Sequence, residues 1–141
     1  MVAAYVLDAS VLAALYVDDP ATAQSEAALK QIDGDKLHAP DFALLEVANV
    51  LWKRVRREEL HAEDAMAAIA DLSAASIQLH PISGLAAQSL ALALSHGFSA
   101  YDATYVALAT RVGGIVITND GGMRQRGIEA GLAVVTTREV A

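Results

Sequence analysis

Residues 5–15 read YVLDASVLAAL and residues 115–120 read IVITND. Both begin as short, continuously apolar runs rich in branched side chains, and both meet an aspartate as the run ends. Runs of this length without polar alternation suit strands buried on both faces, as in parallel sheets. The first predicts a strand over 2–7. Ser10 is the predicted cap of the helix that follows, which stops at the turn signal Asp18-Asp19-Pro20. The second predicts a strand over 115–118, preceded by a helix that Ser99 caps and Gly113-Gly114 ends.

Between these stretches the same alternation repeats. Helices are predicted over 21–33, with Gly34 as C-terminal cap, and from Pro40-Asp41 to 57. A further helix is predicted over 63–75, where Met66, Ile69 and Leu72 recur at spacing three, and another over 85–96, ended by Gly97. Apolar segments at 36–39, 77–80 and 132–136 complete five strands. Strands alternating with helices argue for an α/β fold with a largely parallel sheet. No linker or repeat divides the chain, so residues 1–141 are read as one domain.

Composition narrows the function classes. Hydrophobic residues make up 55% and charged ones 19%, which excludes a disordered chain. The absence of cysteine excludes a disulfide scaffold, a cysteine-based zinc finger and a thiol nucleophile. Ten Lys+Arg against 17 Asp+Glu leave a net charge of −7, and the pI is near 4.9. That balance excludes gripping nucleic acid mainly through bulk positive charge, but not a nuclease whose acids hold metal ions. The few aromatics do not alternate along a strand as a base-stacking platform requires. The N-terminal apolar run lacks a basic flank and is cut by Asp8, and no run of 18 apolar residues is uninterrupted. A soluble, cytoplasmic protein without membrane association is expected.

Most acids fall in turns or helix junctions and read as solvated surface. Four do not. Asp8 and Asp120 end apolar strands, on the edge of a parallel sheet where ligands bind; each is also placed to shape an ordinary turn. Glu46 lies within FALLEVANVLW, where an ionised carboxylate needs a cation or donors. Asn49 and Lys53 share its helix face, and a structural Glu46–Lys53 pair is the competing reading. Asp102 in SAYDATYVALA stands three residues after Ser99, which also fits a capping box. Several carboxylates converging without matching cations raise one another's pKa, and a divalent ion resolves that conflict. Oxygen-only donors point to Mg²⁺ or Mn²⁺ and away from zinc.

The segments YVLDASVLAAL, LLEVANVLW, SAYDATYVALA and VITND, in this order, resemble the PIN-domain ribonucleases, and among them the VapC toxins of bacterial and archaeal toxin–antitoxin pairs. The resemblance implies a three-layer α/β/α sandwich with a five-stranded parallel sheet in the order 3-2-1-4-5, strands 1 and 4 being adjacent. It implies an acidic metal site at Asp8, Glu46, Asp102 and Asp120, supported by Ser10, Asn49 and Thr118. It also implies Mg²⁺-dependent RNA hydrolysis (Mn²⁺ being an alternative ion), with products ending in 5′-phosphate and 3′-hydroxyl, a cognate VapB-like antitoxin, and a homodimer. Family members often carry basic or bulky residues after the last acid. Here Gly121-Gly122 follow, so Asp120 is expected to hold metal less directly than the other three.

Positive charge for RNA is sought in KRVRR, where Lys53 and Arg57 lie on the Glu46 face, and secondarily at Arg124 and Arg126. A solvated helix end is the alternative reading of the first cluster. Trp52 is expected in core or interface packing, and the four histidines in structural or exposed positions. No histidine is placed to activate Ser10, which removes a serine hydrolase. The phosphoreceiver domains, which also gather acids at strand ends, need a lysine after their last strand. The only lysines here are Lys30, Lys36 and Lys53. The remaining rival is a catalytically inactive PIN-like module that binds RNA or protein.

Overall fold

The computed structural model describes residues 4–32 and 36–140. β1 (Tyr5–Leu7) passes into α1 (Ala9–Tyr16) with only Asp8 between them. α2 (Thr22–Lys30), β2 (Leu37–Pro40), α3 (Ala43–Arg56), α4 (Ala62–Ser73) and β3 (Gln78–His80) follow. A 3₁₀ turn (Ile82–Gly84) leads to α5 (Ala86–His96), α6 (Ala100–Val112), β4 (Ile115–Thr118), α7 (Gly121–Ala130), β5 (Val134–Thr136) and α8 (Thr137–Val140).

The sheet has five strands in the order β3-β2-β1-β4-β5, and every pair is parallel. This is the order the sequence resemblance implies. Right-handed crossovers send the helices connecting β1 to β3 to one face and those connecting β3 to β5 to the other, while α8, after the last strand, packs on α2. Accordingly α1 packs with α2, α3 and α4, while α6 packs with α5 and over β1, β2 and β4. Val6, Leu7, Val116 and Ile117, on the two central strands, are at most 1% exposed. Covered on both faces, such strands need unbroken apolar runs, which is why these two are the plainest in the sequence.

This topology positions the site. All strands end on one edge, so Asp8 after β1 and Asp120 after β4 share it. Leu7 pairs with Ile117, and the Asp8 N–H continues the ladder by donating to Ile117 O at 3.2 Å. α3 starts on the same edge because β2 ends there. α6 runs back toward the start of β4, so its first turn lies there too. Glu46 and Asp102 each stand in the first turn of their helix.

Several local expectations need correction. Asp8, not Ser10, caps α1: its carboxylate accepts from Val11 N at 3.2 Å, while Ser10 lies inside the helix. The helix starts one residue after the strand, which leaves no room for a cap at Ser10. Pro40 is the last residue of β2, where the lost N–H costs little, and α3 begins only at Ala43. α4 buries Ala68 and Leu72, whereas Met66 is 68% exposed; Trp52 is 53% exposed, which removes it from the core and leaves interface packing as its expected place. α2 ends at Lys30 with Gln31 as its cap, short of the expected 33, since residues 31 and 32 have already left the helix; residue 33 and the Gly34 cap fall outside the described residues, as does the start of the first strand before Ala4. α7 and α8 are additions to the predicted elements, and α7 opens on two glycines. Asp120 supplies what those glycines lack, accepting from Gly122 N at 2.8 Å and Met123 N at 3.3 Å. Ser99 caps α6, and Gly97 and Gly113 end α5 and α6 with φ of 74° and 68°, as the sequence indicates. Among the described residues no helix is long and apolar enough to cross a membrane.

Candidate active site

Asp8 is 6% exposed and bound on several sides. Ser10 Oγ donates to its Oδ1 at 2.5 Å and Val11 N to the same oxygen, while Thr118 Oγ1 donates to Oδ2. Thr118 in turn accepts from Asp120 N at 2.9 Å, so one hydroxyl ties the two strand-end acids together. Donors of this kind favour the ionised form, yet burial outweighs them and pushes the Asp8 pKa up to about 6. The charge of Asp102 adds to that rise.

Glu46 is half-buried, and its carboxyl is raised by burial and by Asp102 against the hydrogen bond it accepts from Tyr105. Asp102 is raised by burial and then by Asp120, with Arg126 and Ser99 opposing. Three of the acids therefore register another: Asp8 and Glu46 feel Asp102, and Asp102 feels Asp120. The capping reading of Asp102 is also met in part, because its N–H donates to Ser99 Oγ at 3.1 Å. Its carboxylate is not used in the cap and instead faces Arg126, 3.8 Å away. The Glu46–Lys53 pair is not formed; the partner of Glu46 is Tyr105, whose hydroxyl donates to Oε1 at 2.7 Å.

This set suits a hard divalent cation in donor type, being carboxylates and hydroxyls without nitrogen or sulfur. Among the described residues no three carboxylate or histidine side chains stand close enough to hold an ion as placed. The fit lies in the chemistry of the donors, their shared edge and their mutual repulsion. A cleft of about 790 Å³ opens beside Glu46 and includes Asn49, Lys53 and Tyr101. Arg57, the residue that caps the end of α3, lies in a neighbouring hollow with Lys53 and Arg54.

A model of the PIN domain matches residues 5–129. The chain belongs to the PIN-domain family. It is 41% identical over 117 residues to ribonuclease VapC3 of Pyrobaculum aerophilum, covering 82% of this chain and 88% of that protein. Among solved structures, one from Pyrobaculum aerophilum superposes with a TM-score of 0.74 at 22% identity, over 99% of this chain and 94% of that one. A toxin–antitoxin complex from Klebsiella pneumoniae gives 0.69 at 18% identity, over 95% and 98%. Membership makes the chain an enzyme of the ribonuclease class.

Within this PIN domain three residues near the acids are not evident as site residues in the sequence, where Arg126 reads only as a secondary basic patch. Tyr105 is 1% exposed and bonds Glu46 across 59 positions; its place three residues after Asp102, on one helix face, is the available signal. Asn119 lies between Thr118 and Asp120. Its N–H donates to Ser10 Oγ at 2.9 Å, and its amide bonds Ser25 and Thr137, tying α1, α2 and α8 behind Asp8. Arg126 pairs with Asp102 at 3.8 Å. The neighbouring Arg124 is taken up by Glu139 at 2.7 Å and is not a free cation. His38 and His80 meet across β2 and β3 at 2.9 Å.

Tyr105→Phe removes one hydroxyl and little else. Folding stability should fall by about 1 kcal/mol, and RNA cleavage by about tenfold as Glu46 loses its orientation. Denaturant melts and cleavage assays check both; unchanged cleavage would remove Tyr105 from the site.

Proposed function

We propose that this chain is the ribonuclease toxin of a toxin–antitoxin pair, hydrolysing RNA at a divalent-metal site made by Asp8, Glu46 and Asp102, with Asp120 assisting. The observation that carries this reading is the run of coupled carboxylates on one sheet edge, three of them raised above their ordinary pKa. Such a pocket repels a phosphodiester until a cation enters. Relatives named VapC ribonucleases support the substrate class.

Mg²⁺ or Mn²⁺, when bound, supplies Lewis acidity that acidifies water and offsets phosphate charge. The protein's part is orientation. Ser10 and Thr118 fix both oxygens of Asp8, Tyr105 fixes Glu46, and Asn49 stands beside Glu46 in the cleft. Lys53, and beyond it Arg57, lead the backbone phosphates toward that cleft. In the hydrolysis a water oxygen bonds to phosphorus as the bond from phosphorus to the 3′-oxygen breaks. The water gives up one proton and the leaving 3′-oxygen takes one, leaving 5′-phosphate and 3′-hydroxyl ends.

Residues 1–141 act as one domain in the cytoplasm. A VapB-like antitoxin is the proposed partner, for which exposed Leu45, Trp52 and Met66 offer apolar surface, and the protein is proposed to pair with a second copy. The test is cleavage of RNA by the purified protein with Mg²⁺ or Mn²⁺. EDTA should abolish it and fresh metal restore it; cleavage that persists in EDTA overturns the metal mechanism. Induced expression should arrest growth and Asp102→Asn relieve the arrest, whereas equal toxicity of both counts against the toxin role.

A further inference from the structure

The glycines after Asp120 are where this chain departs from its family's pattern, and a guanidinium lies beside the second of them. A Cβ at Gly122 would stand 3.2 Å from Asp120 Oδ1 and 3.6 Å from Nη2 of Arg126. Arg126 Nη2 also lies 3.8 Å from Asp102 Oδ2, and its guanidinium carbon is 6.0 Å from the centre of the Phe98 ring. Its Nε is buried and makes no hydrogen bond among the described residues. A buried N–H donor without an acceptor is costly, and an arginine presents its Nε beside a terminal nitrogen as a two-pronged fork. Here the terminal nitrogens stand among acids on a side chain that is 36% exposed, while the buried Nε has no acceptor.

We propose that Arg126 is a catalytic residue that grips the scissile phosphate, its terminal guanidinium nitrogens donating to non-bridging oxygens, and that Asp102 holds the guanidinium until substrate arrives. The proposal rests on the metal-dependent hydrolysis put forward above. Acids that draw in a cation also repel the phosphodiester, and the phosphate gains negative charge as water adds. A preorganised guanidinium answers both needs, since its fork matches phosphate geometry. Arg126 and the metal compete for Asp102, so the same side chain opposes metal binding and favours phosphate binding. A merely structural arginine would not act in opposite directions on the two ligands.

Three readouts test this: calorimetric titration with Mn²⁺ alone, titration of the Mn²⁺-loaded protein with uridine 5′-monophosphate as product mimic, and the rate of RNA cleavage. For Arg126→Gln, Mn²⁺ should bind about three- to tenfold more tightly once a positive charge leaves the site. The nucleotide should bind about ten- to a hundredfold more weakly, and kcat should fall by about a hundredfold or more. Arg126→Lys should return Mn²⁺ affinity to the wild-type level but recover only part of the nucleotide affinity, because an ammonium is a point charge without the fork. Nucleotide affinity unchanged in Arg126→Gln, with Mn²⁺-dependent cleavage intact, overturns the role of Arg126 alone. Parallel loss of stability and of both affinities overturns it in favour of a structural role. A wild-type protein that neither binds Mn²⁺ nor cleaves overturns the parent reading first.

Discussion

Asp8→Asn is expected to silence RNA cleavage while making the metal-free protein more stable. The carboxylate is buried, and its pKa stands at about 6 against an ordinary 3.8. The folded state therefore binds this proton more tightly than the unfolded chain does. Protonation stabilises the fold, so the associated stability is complete below pH 3.8 and is lost as pH rises through 6. The whole loss is about 3 kcal/mol, and the raised pKa values of Glu46 and Asp102 add to it with the same sign. Asparagine removes the charge at nearly constant shape, and its carbonyl oxygen still accepts from Ser10 and Val11. Its amide faces Thr118, which now donates to Asp8 and accepts from Asp120. Leaving the buried Thr118 proton without an acceptor costs about 1 kcal/mol. The net expectation in EDTA at pH 7.5 is a gain of about 1–2 kcal/mol, or about 3–8 °C in Tm. At pH 4 the gain should vanish. Cleavage should fall by about a thousandfold or more, as befits loss of a proposed metal ligand. Adding Mg²⁺ should raise Tm in the wild type more than in the variant. A variant that is less stable at pH 7.5 in EDTA, or that still cleaves, contradicts this account of Asp8.

Such a trade between stability and activity explains what is legible in the sequence. An acid at the end of a buried apolar strand is a local anomaly, so Asp8 and Asp120 stand out from their neighbours alone. β4 spans the same residues as the strand predicted for it, because two-sided burial demands an unbroken apolar run. The Ser99 cap and the Gly97 and Gly113 stops are local as well, each set by one side chain or one left-handed residue. What the sequence does not disclose depends on contacts between distant segments. Tyr105 and Glu46 are 59 positions apart, and Asn119 reaches back to Ser25 across 94. α7 is hidden because two glycines weaken its start, and the Asp120 carboxylate repairs that start. The exposure of Met66 has a related cause. Spacing three fits a helix, but only the position of α3 decides which side of α4 is covered.

The register that joins Asp8 to Thr118 leads to the second large effect, expected for Gly114→Ala. Gly114 stands just before β4, where the chain passes over Ala4 at the start of β1. A Cβ there would lie 2.4 Å from the Ala4 carbonyl oxygen and 2.8 Å from its carbon. Neither neighbour is a flexible side chain that can swing aside. Gly114 N is bonded to Ala109 O at 2.8 Å at the end of α6, and Ala4 O accepts from Ile115 N at 3.2 Å. Relief must come from sliding or parting β1 and β4, which also moves Leu7 relative to Ile117 and hence Asp8 relative to Thr118. Overpacking against fixed backbone should cost about 3 kcal/mol or more, a large share of the roughly 5–15 kcal/mol that holds a domain together. Tm should fall by about 10 °C. Gly121→Ala is the matched control. Nothing lies within 4 Å of its Cβ position, in the first turn of α7. Alanine favours a helix over glycine there by up to about 1 kcal/mol, so that variant should be as stable as the wild type or more so. Denaturant melts of the two proteins decide the matter. A Gly114→Ala protein within about 0.5 kcal/mol of wild type would mean that β1 and β4 are free to adjust. The alignment of the strand-end acids would then have to be held from elsewhere, by the Ser10–Asn119 bond and the helices tied behind it.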